Sequence, residues 1–188
     1  MKLNKLIWLC VVMLMVGLFG MNINIQAQRG MDIRILDSLK KARGYYKVLG
    51  PDSVGMLTVW KGDIHFFMDT TGVEYWKERE YDYVEGFRCG MSRVSKDGIY
   101  FFIDAKGKEH FKDRKYNNVY SFHEGLAIVK KDGKAWFIDK EGKEYFKDKE
   151  YNWVSYFSEG KAQVRKGYKK WYIDKKGNCV KECENMVE

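Results

Sequence analysis

One line of this sequence returns every 35 residues. "YFFIDAKGKEHF" begins at Tyr100, "AWFIDKEGKEYF" at Ala135 and "KWYIDKKGNCV" at Lys170. Stepping by that interval gives columns of like residues: Tyr46, Tyr81, Tyr116 and Tyr151; Gly55, Gly90, Gly125 and Gly160; Val59, Val94, Val129 and Val164. Further along stand Phe67, Phe102, Phe137 and Tyr172, then Asp69, Asp104, Asp139 and Asp174, and finally Gly72, Gly107, Gly142 and Gly177. A fixed period of about 20–50 residues marks a repeat architecture. The columns predict four units over residues 46–80, 81–115, 116–150 and 151–180, with no insertion or deletion between them.

The interior of a unit selects strands over helices. "GLAIVKKDGKAWFIDKEGKEYF" has apolar runs rich in Val, Ile, Phe and Trp, cut every few residues by Gly and Asp. No stripe at i, i+3, i+4 and i+7 survives those cuts, so short strands joined by tight turns are expected. The four D-x-x-G phrases place Asp first in a type I turn, where its carboxylate accepts backbone N–H groups, and Gly fourth. Lys96–Gly98 and Lys131–Gly133 are hairpin signals of the same kind.

Aromatic columns supply the cohesion: Phe66, Phe101, Trp136 and Trp171; Phe87, Phe122 and Phe157; Trp76, Phe111 and Phe146. An enclosed ring buries about 150–250 Å², an upper estimate of roughly 4–6 kcal/mol of transfer free energy. One unit cannot enclose its own rings. Stacked units can, and like columns are then expected to form ladders of neighbouring rings. The fold class that follows is all-β, an open, solenoid-like array of four β-hairpin repeats of roughly 35 residues. A four-bladed propeller is the alternative.

The ends are read as follows. Residues 1–27 carry Lys2 and Lys5, an uncharged apolar run from Leu6 to Gly20, and a small residue at Ala27, the pattern of a secretory signal peptide cleaved after Ala27. The apolar run is short for a membrane anchor, which needs about 18–20 residues, so no stable membrane insertion is expected once the signal is removed. Cys10 sits too early for a lipid anchor. Residues 28–45 make a linker and a short amphipathic helix within "MDIRILDSLKKARG", with Ile33, Leu36, Leu39 and Lys40 on one face, as a cap on the first unit. At the far end Cys179 and Val180 are expected in the places of His110 and Phe111, and residues 181–188 are expected to fray.

Composition narrows function. Of 34 basic residues, removal of Lys2 and Lys5 leaves 32 against 26 acidic, a net charge of +6. The lysines alternate with acids, in "KKDGK" and "KDKE", rather than forming the basic stripe of a nucleic-acid binder. No nucleic-acid partner is expected. Three cysteines lie beyond the signal, an odd number: Cys179 and Cys183 are near enough to pair, which leaves Cys89 alone.

Catalysis needs groups that break a repeated pattern. His110 aligns with Tyr75 and Tyr145 in an aromatic column, and His123 aligns with Arg88 and Ser158 at a variable, exposed position. No nucleophile–base grouping or phosphate loop is legible, so no catalytic, cofactor or metal residues are assigned and the chain is read as not an enzyme. Calcium at the aspartate column would need six to eight oxygens, and each turn offers one carboxylate beside lysines. Turn chemistry accounts for the Asp.

The phrase "YNNVYSFHEGLAIVKKDGKAWFIDKEGKEYF" resembles the WG-repeat family of bacterial β-rich repeats, through Tyr116, Phe122, Glu124, Gly125, Leu126, Ala127, Val129, Gly133, Lys134, Phe137, Ile138, Asp139 and Gly142. The next unit matches at Tyr151, Phe157, Glu159, Gly160, Ala162, Val164, Ile173, Asp174 and Gly177. The family's naming pair, Trp then Gly, is replaced here by His65-Phe66, Tyr100-Phe101, Ala135-Trp136 and Lys170-Trp171, so the bulky ring stands in the glycine's place. The resemblance implies a non-catalytic, exported repeat protein and names no ligand. The expected role is a monomeric scaffold for protein–protein contact in the periplasm, at the cell surface or outside the cell. The alternative is a polysaccharide-binding module using exposed rings, for which Trp76, Tyr145 and Trp153 are the candidates.

Overall fold

The computed structural model describes residues 33–185. The signal segment, Cys10 and the last three residues lie outside them. Among the described residues, four antiparallel four-stranded sheets follow one another along the chain after one short helix. No sheet closes into a barrel, and the fold is the array of hairpin repeats that the period predicts. Two compact units divide between Gly90 and Met91. Among the described residues no helix is long and apolar enough to cross a membrane.

The first unit opens with helix α1 (Ile33–Arg43). It carries Lys40, Lys41 and Arg43 in its last turn, where cations suit the helix dipole. Gly44 (φ 66°) then turns left-handed, and the Tyr45 N–H closes back on the Lys40 carbonyl at 2.9 Å, a Schellman ending. Strands β1 (Lys47–Leu49), β2 (Met56–Lys61), β3 (Ile64–Asp69) and β4 (Glu74–Tyr75) form a meander, followed by a 3-10 turn, Lys77–Arg79, and by β5 (Tyr83–Val84). The tyrosine column needs correcting here. Tyr46 is 76% exposed, whereas Tyr45 is buried, with its ring edge-on to Phe66 at 5.9 Å. The pairing shows why. Val48 faces Val59, eleven residues on, while Val119 faces Val129 and Val154 faces Val164, ten residues on. One extra residue therefore sits in the β1–β2 connection, and Tyr45 takes the place that Tyr116 and Tyr151 hold later.

The second unit continues with β6 (Met91–Lys96), β7 (Ile99–Asp104), β8 (Glu109–His110), a 3-10 turn Lys112–Arg114 and β9 (Asn118–Val119). Next come β10 (Ala127–Lys131), β11 (Lys134–Ile138), β12 (Glu144–Tyr145) and the 3-10 turn Lys147–Lys149. The last sheet holds β13 (Trp153–Val154), β14 (Lys161–Lys166), β15 (Lys169–Asp174) and β16 (Cys179–Lys181), ahead of a 3-10 turn at Cys183–Asn185. The central hairpins turn on left-handed pairs, Asp97-Gly98 (φ 53° and 73°) and Asp132-Gly133 (φ 51° and 72°), the type I′ geometry that suits twisted strands.

Successive repeats are joined in equivalent ways inside each unit. In the first, the His65 N–H donates to the Tyr81 carbonyl at 2.8 Å; in the second, Tyr100 donates to Tyr116 at 3.1 Å and Ala135 to Tyr151 at 2.8 Å. The rings meet across columns rather than as ladders of like with like, which corrects the sequence expectation. Phe67 touches Trp76 and Phe87, Phe102 touches Phe111 and Phe122, and Phe137 touches Phe146 and Phe157, with centroids 4.8–6.4 Å apart. In each trio one ring comes from the next repeat. Such pairs contribute about 0.5–1.5 kcal/mol beyond area burial.

Glycine is required where the left-handed ring of one repeat lies on the aspartate turn of the next. Phe111 and Phe146 adopt φ 62° and 60°, and a Cβ on Gly142 or Gly177 would come within 2.7 Å of their Cε1 atoms. In the first repeat the helix end replaces that ring: the Arg43 Nη1 group donates to the Gly72 carbonyl at 2.6 Å. Helix α1 thus caps the array by supplying the Arg, left-handed residue and Tyr that a preceding repeat would supply.

The chain's end also departs from expectation. Ile173 pairs with Cys179 as Ile103 pairs with Glu109 and Ile138 with Glu144, so Cys179 stands in the glutamate's place, not that of His110. A register shift then skips Val180, and Tyr172 pairs with Lys181. Glu182 (φ 59°) takes the left-handed position of Phe146, and a disulfide joins Cys179 to Cys183 across 5.6 Å between Cα atoms. Where the sequence suggests a frayed tail, the register shift and the disulfide continue the repeat's strand and 3-10 turn as far as Asn185.

Candidate functional site

Most of the residues singled out by repetition are used up in packing or turns. Tyr81, Tyr116, Tyr151, Phe102 and Phe137 are buried. Gly90, Gly125 and Gly160 (φ 78°, 88° and 76°) make left-handed turns in open space. The aspartates cap their turns with one oxygen and hold a side chain with the other. Asp69 Oδ1 accepts the N–H groups of Thr71 and Val73 at 2.8 and 3.1 Å, and Asp174 Oδ1 accepts those of Lys176 and Asn178 at 2.8 and 2.9 Å. Their Oδ2 atoms accept from the Tyr75 hydroxyl at 3.0 Å and the Asn178 amide at 3.0 Å. In the other two turns Asp104 meets His110 Nε2 at 2.9 Å and Asp139 accepts from Tyr145 at 2.9 Å. His110 therefore stands in for a tyrosine, as its column suggests. Among the described residues no group of three or more His, Cys, Asp or Glu could hold a metal ion.

A polar network recurs beside the tyrosine column. The Tyr116 hydroxyl donates to Glu144 at 2.7 Å, Lys147 donates to the same carboxylate at 2.8 Å, and Arg114 lies 3.3 Å from it. Lys147 also stands 5.2 Å from the centre of the Trp136 ring. The first repeat repeats the arrangement: Tyr45 and Lys77 donate to Glu74, and Lys77 stands over Phe66 at 5.4 Å. Burial pushes the Glu144 pKa up, but the bonds from Lys147 and Tyr116 outweigh it and hold the carboxyl below its ordinary range. Here the replaced naming pair is explained: Phe66, Phe101, Trp136 and Trp171 are buried, so a ring in the glycine's place faces the core.

The three candidates for a binding surface part company. Trp76 is half-buried against Phe67 and Phe87. Tyr145 is tied to Asp139, with Lys143 over its ring at 4.9 Å. Trp153 alone of the three is exposed. It lines a shallow groove of about 230 Å³ with Tyr120, Ile128, Lys130, Val154, Ser155 and Tyr156, all within the second unit. Tyr120 and Ile128 are neighbours because the Tyr120 N–H donates to the Ile128 carbonyl at 2.8 Å. Ser155 bonds Gln163 in the same way in the next sheet.

The rings of the groove stand at steep angles. Tyr120 and Tyr156 meet edge to face, 6.3 Å apart at 82°, and His123 lies 3.9 Å from Tyr156 at 41°. His123 is thus half-buried against a ring, which corrects its reading as an exposed position. Arg93 and Lys130 stand 5.8 and 5.1 Å from the centre of Tyr120, and Arg93 also donates to the Val119 carbonyl at 3.1 Å. No acidic side chain lines the groove. Sequence reasoning found Trp153 but missed Tyr120 and Tyr156. The signal was available: Tyr120 aligns with Glu85 and Ser155, and Tyr156 with Gly86 and Ser121, so both are rings that no column requires.

Comparison with known proteins agrees with the repeat. The family described as the WG containing repeat matches residues 66–98, 100–134 and 137–171, more than half of the chain. No curated protein matches it. Among solved structures, the chain is similar to the extracellular domain of a protein described as a one-component system from B. thetaiotaomicron, at 15% identity and a TM-score of 0.44. That match covers 73% of this chain and 23% of the other, so it spans about a quarter of the length of that extracellular domain.

Proposed function

Given that this chain belongs to the WG repeat family, we propose that it is an exported, non-catalytic scaffold that binds a protein partner through the groove around Trp153. The observation that carries the reading is the contrast between repeated and unrepeated rings. Repeated rings are spent on holding the array together, whereas Tyr120 and Tyr156 have no aromatic counterpart in the other repeats, pack only at the margin of the core and collect with the exposed Trp153 around one groove. Tyr and Trp are the residues on which binding energy concentrates at protein interfaces, and small neighbours such as Ser155 leave room between them. Export follows from the pattern of residues 1–27.

The alternative, a polysaccharide site, needs an open aromatic face on which a sugar ring can lie. The edge-to-face setting of Tyr120 and Tyr156 offers ridges rather than a flat platform, and ridges suit interdigitating side chains. A photo-crosslinking residue at Trp153, compared with one at Tyr168, tests the proposal in exporting cells. Tyr168 is fully exposed in the neighbouring β14–β15 turn and serves as the control. A discrete protein adduct from position 153 and none from 168 is the expected result. Equal labelling from both positions, or none from 153 while the chain is folded and exported, contradicts it.

A further inference from the structure

Resting on that reading of the groove, we infer that its partner presents an acidic, aromatic- or aliphatic-containing polypeptide segment, held by a cationic row beside Trp153. The row comes from strand register. Trp153 faces Arg165 across β13–β14, and Arg165 faces Lys170 across β14–β15. Directly opposed residues point to the same side of a sheet, so Trp153, Arg165 and Lys170 lie side by side on one face. All three are exposed. On the third sheet Lys130 shares a face with Tyr120, because Tyr120 lies against Ile128, two residues from Lys130 on the same strand.

Several of the chain's basic residues are neutralised by a nearby acid, and Lys130, Arg165 and Lys170 are among those that are not. Lys77 closes on Glu74 at 2.7 Å, Lys147 on Glu144 at 2.8 Å and Lys175 on Glu124 at 3.1 Å. Among the described residues no acid pairs with Lys130, Arg165 or Lys170; Lys130 lines the groove, which has no acidic lining, and Arg165 and Lys170 share the sheet face of Trp153. Two like charges directly opposed on a sheet are destabilising unless an anion lies between them. Nothing in the packing requires Arg165 and Lys170 to be charged, since both project from the solvent face of their strands. An arriving carboxylate relieves the repulsion while an apolar side chain enters the groove between Tyr120, Trp153 and Tyr156. Complementary charge of this kind sets specificity and encounter rate.

The test uses the full chain and a labelled random copolymer of glutamate and tyrosine, with a lysine–tyrosine copolymer, polygalacturonate and duplex DNA as comparison probes. Fluorescence anisotropy is expected to show binding of the glutamate–tyrosine copolymer, weakening as salt is raised. Arg165→Glu with Lys170→Glu should lower its affinity by about tenfold or more. Trp153→Ala should also weaken binding, and Lys176→Glu in a distant exposed turn should leave it unchanged. Far-UV circular dichroism checks that each variant is folded. The inference is overturned if polygalacturonate or DNA binds as well as the copolymer without dependence on Trp153, or if charge reversal leaves copolymer binding intact. A crosslinked partner at position 153 that is indifferent to Arg165→Glu and Lys170→Glu would defeat the acidic-segment inference alone. Absence of any adduct at 153 would defeat the scaffold reading beneath it.

Discussion

The third and fourth repeats do the same job with different chemistry. In the third, Glu144 gathers Tyr116 and Lys147, and Phe146 packs on Phe137 while lying against Gly177 of the next repeat. In the fourth, Cys179 stands where Glu144 stood and Glu182 where Phe146 stood, and a disulfide to Cys183 fixes the last turn. Tyr151 has lost the carboxylate partner, and burial with the nearby Asp148 pushes its pKa up to about 12. Backbone geometry survives these replacements, with a left-handed residue and a 3-10 turn in both repeats. The turn is therefore the invariant part. A ring is needed at its head where another repeat's glycine must be covered, and a polar residue suffices elsewhere.

The largest effect that sharpens this contrast comes from the rings. Phe137→Ala removes a buried ring shared by two repeats and should cost about 3–5 kcal/mol in urea unfolding. Tyr172→Ala, at the matching position of the fourth repeat, is half-exposed and should cost about 1–2 kcal/mol. Equal costs would show that the two repeats are packed alike. Next is Gly177→Ala, whose Cβ would strike Phe146. Strain and clash together should cost about 2–3 kcal/mol, against about 1 kcal/mol for Gly160→Ala, which carries a positive φ and an open surround.

The Cys179–Cys183 disulfide closes only a short loop, so its reduction is expected to cost about 2 kcal/mol. Hydrogen exchange should place the loosening in the fourth repeat. Smallest is Glu144→Gln, at about 1 kcal/mol. Its sign with pH follows from the depressed carboxyl: the contribution is complete above the unfolded value of about 4.3 and is lost as pH falls through the lower folded value. The wild-type chain should therefore lose stability in acid more steeply than Glu144→Gln, a difference that acid titration of the unfolding midpoint would measure.

How much of this was legible beforehand varies by residue. The period, the strands and the D-x-x-G turns could be read because Asp, Gly and β-branched or aromatic residues have local preferences that act within a few positions. The extra residue before Val59 and the skipped Val180 could not, because both keep the repeat count nearly intact and are settled by which valine or isoleucine faces which partner across a sheet. The role of Arg43 as a stand-in for a preceding repeat depends on a contact 29 residues away. At the candidate site Trp153 was named from its type; Tyr120 and Tyr156 stand out in the sequence as rings that no column requires, but their meeting with Trp153 is visible only once two sheets lie side by side. Ring columns predicted cohesion correctly and its geometry wrongly, since period says which rings are equivalent and not which rings touch.

Phe157→Ala, read by hydrogen exchange at the Ala135 amide, is the most direct trial of interdependence between repeats. Ala135 belongs to the third repeat, Phe157 to the fourth, and the two are linked through Phe137 and through the bond from Ala135 to Tyr151. Faster exchange at Ala135 and along β11 is predicted, with protection falling across the boundary. Unchanged exchange in the third repeat, with loss confined to the fourth, would mean that each repeat holds itself together.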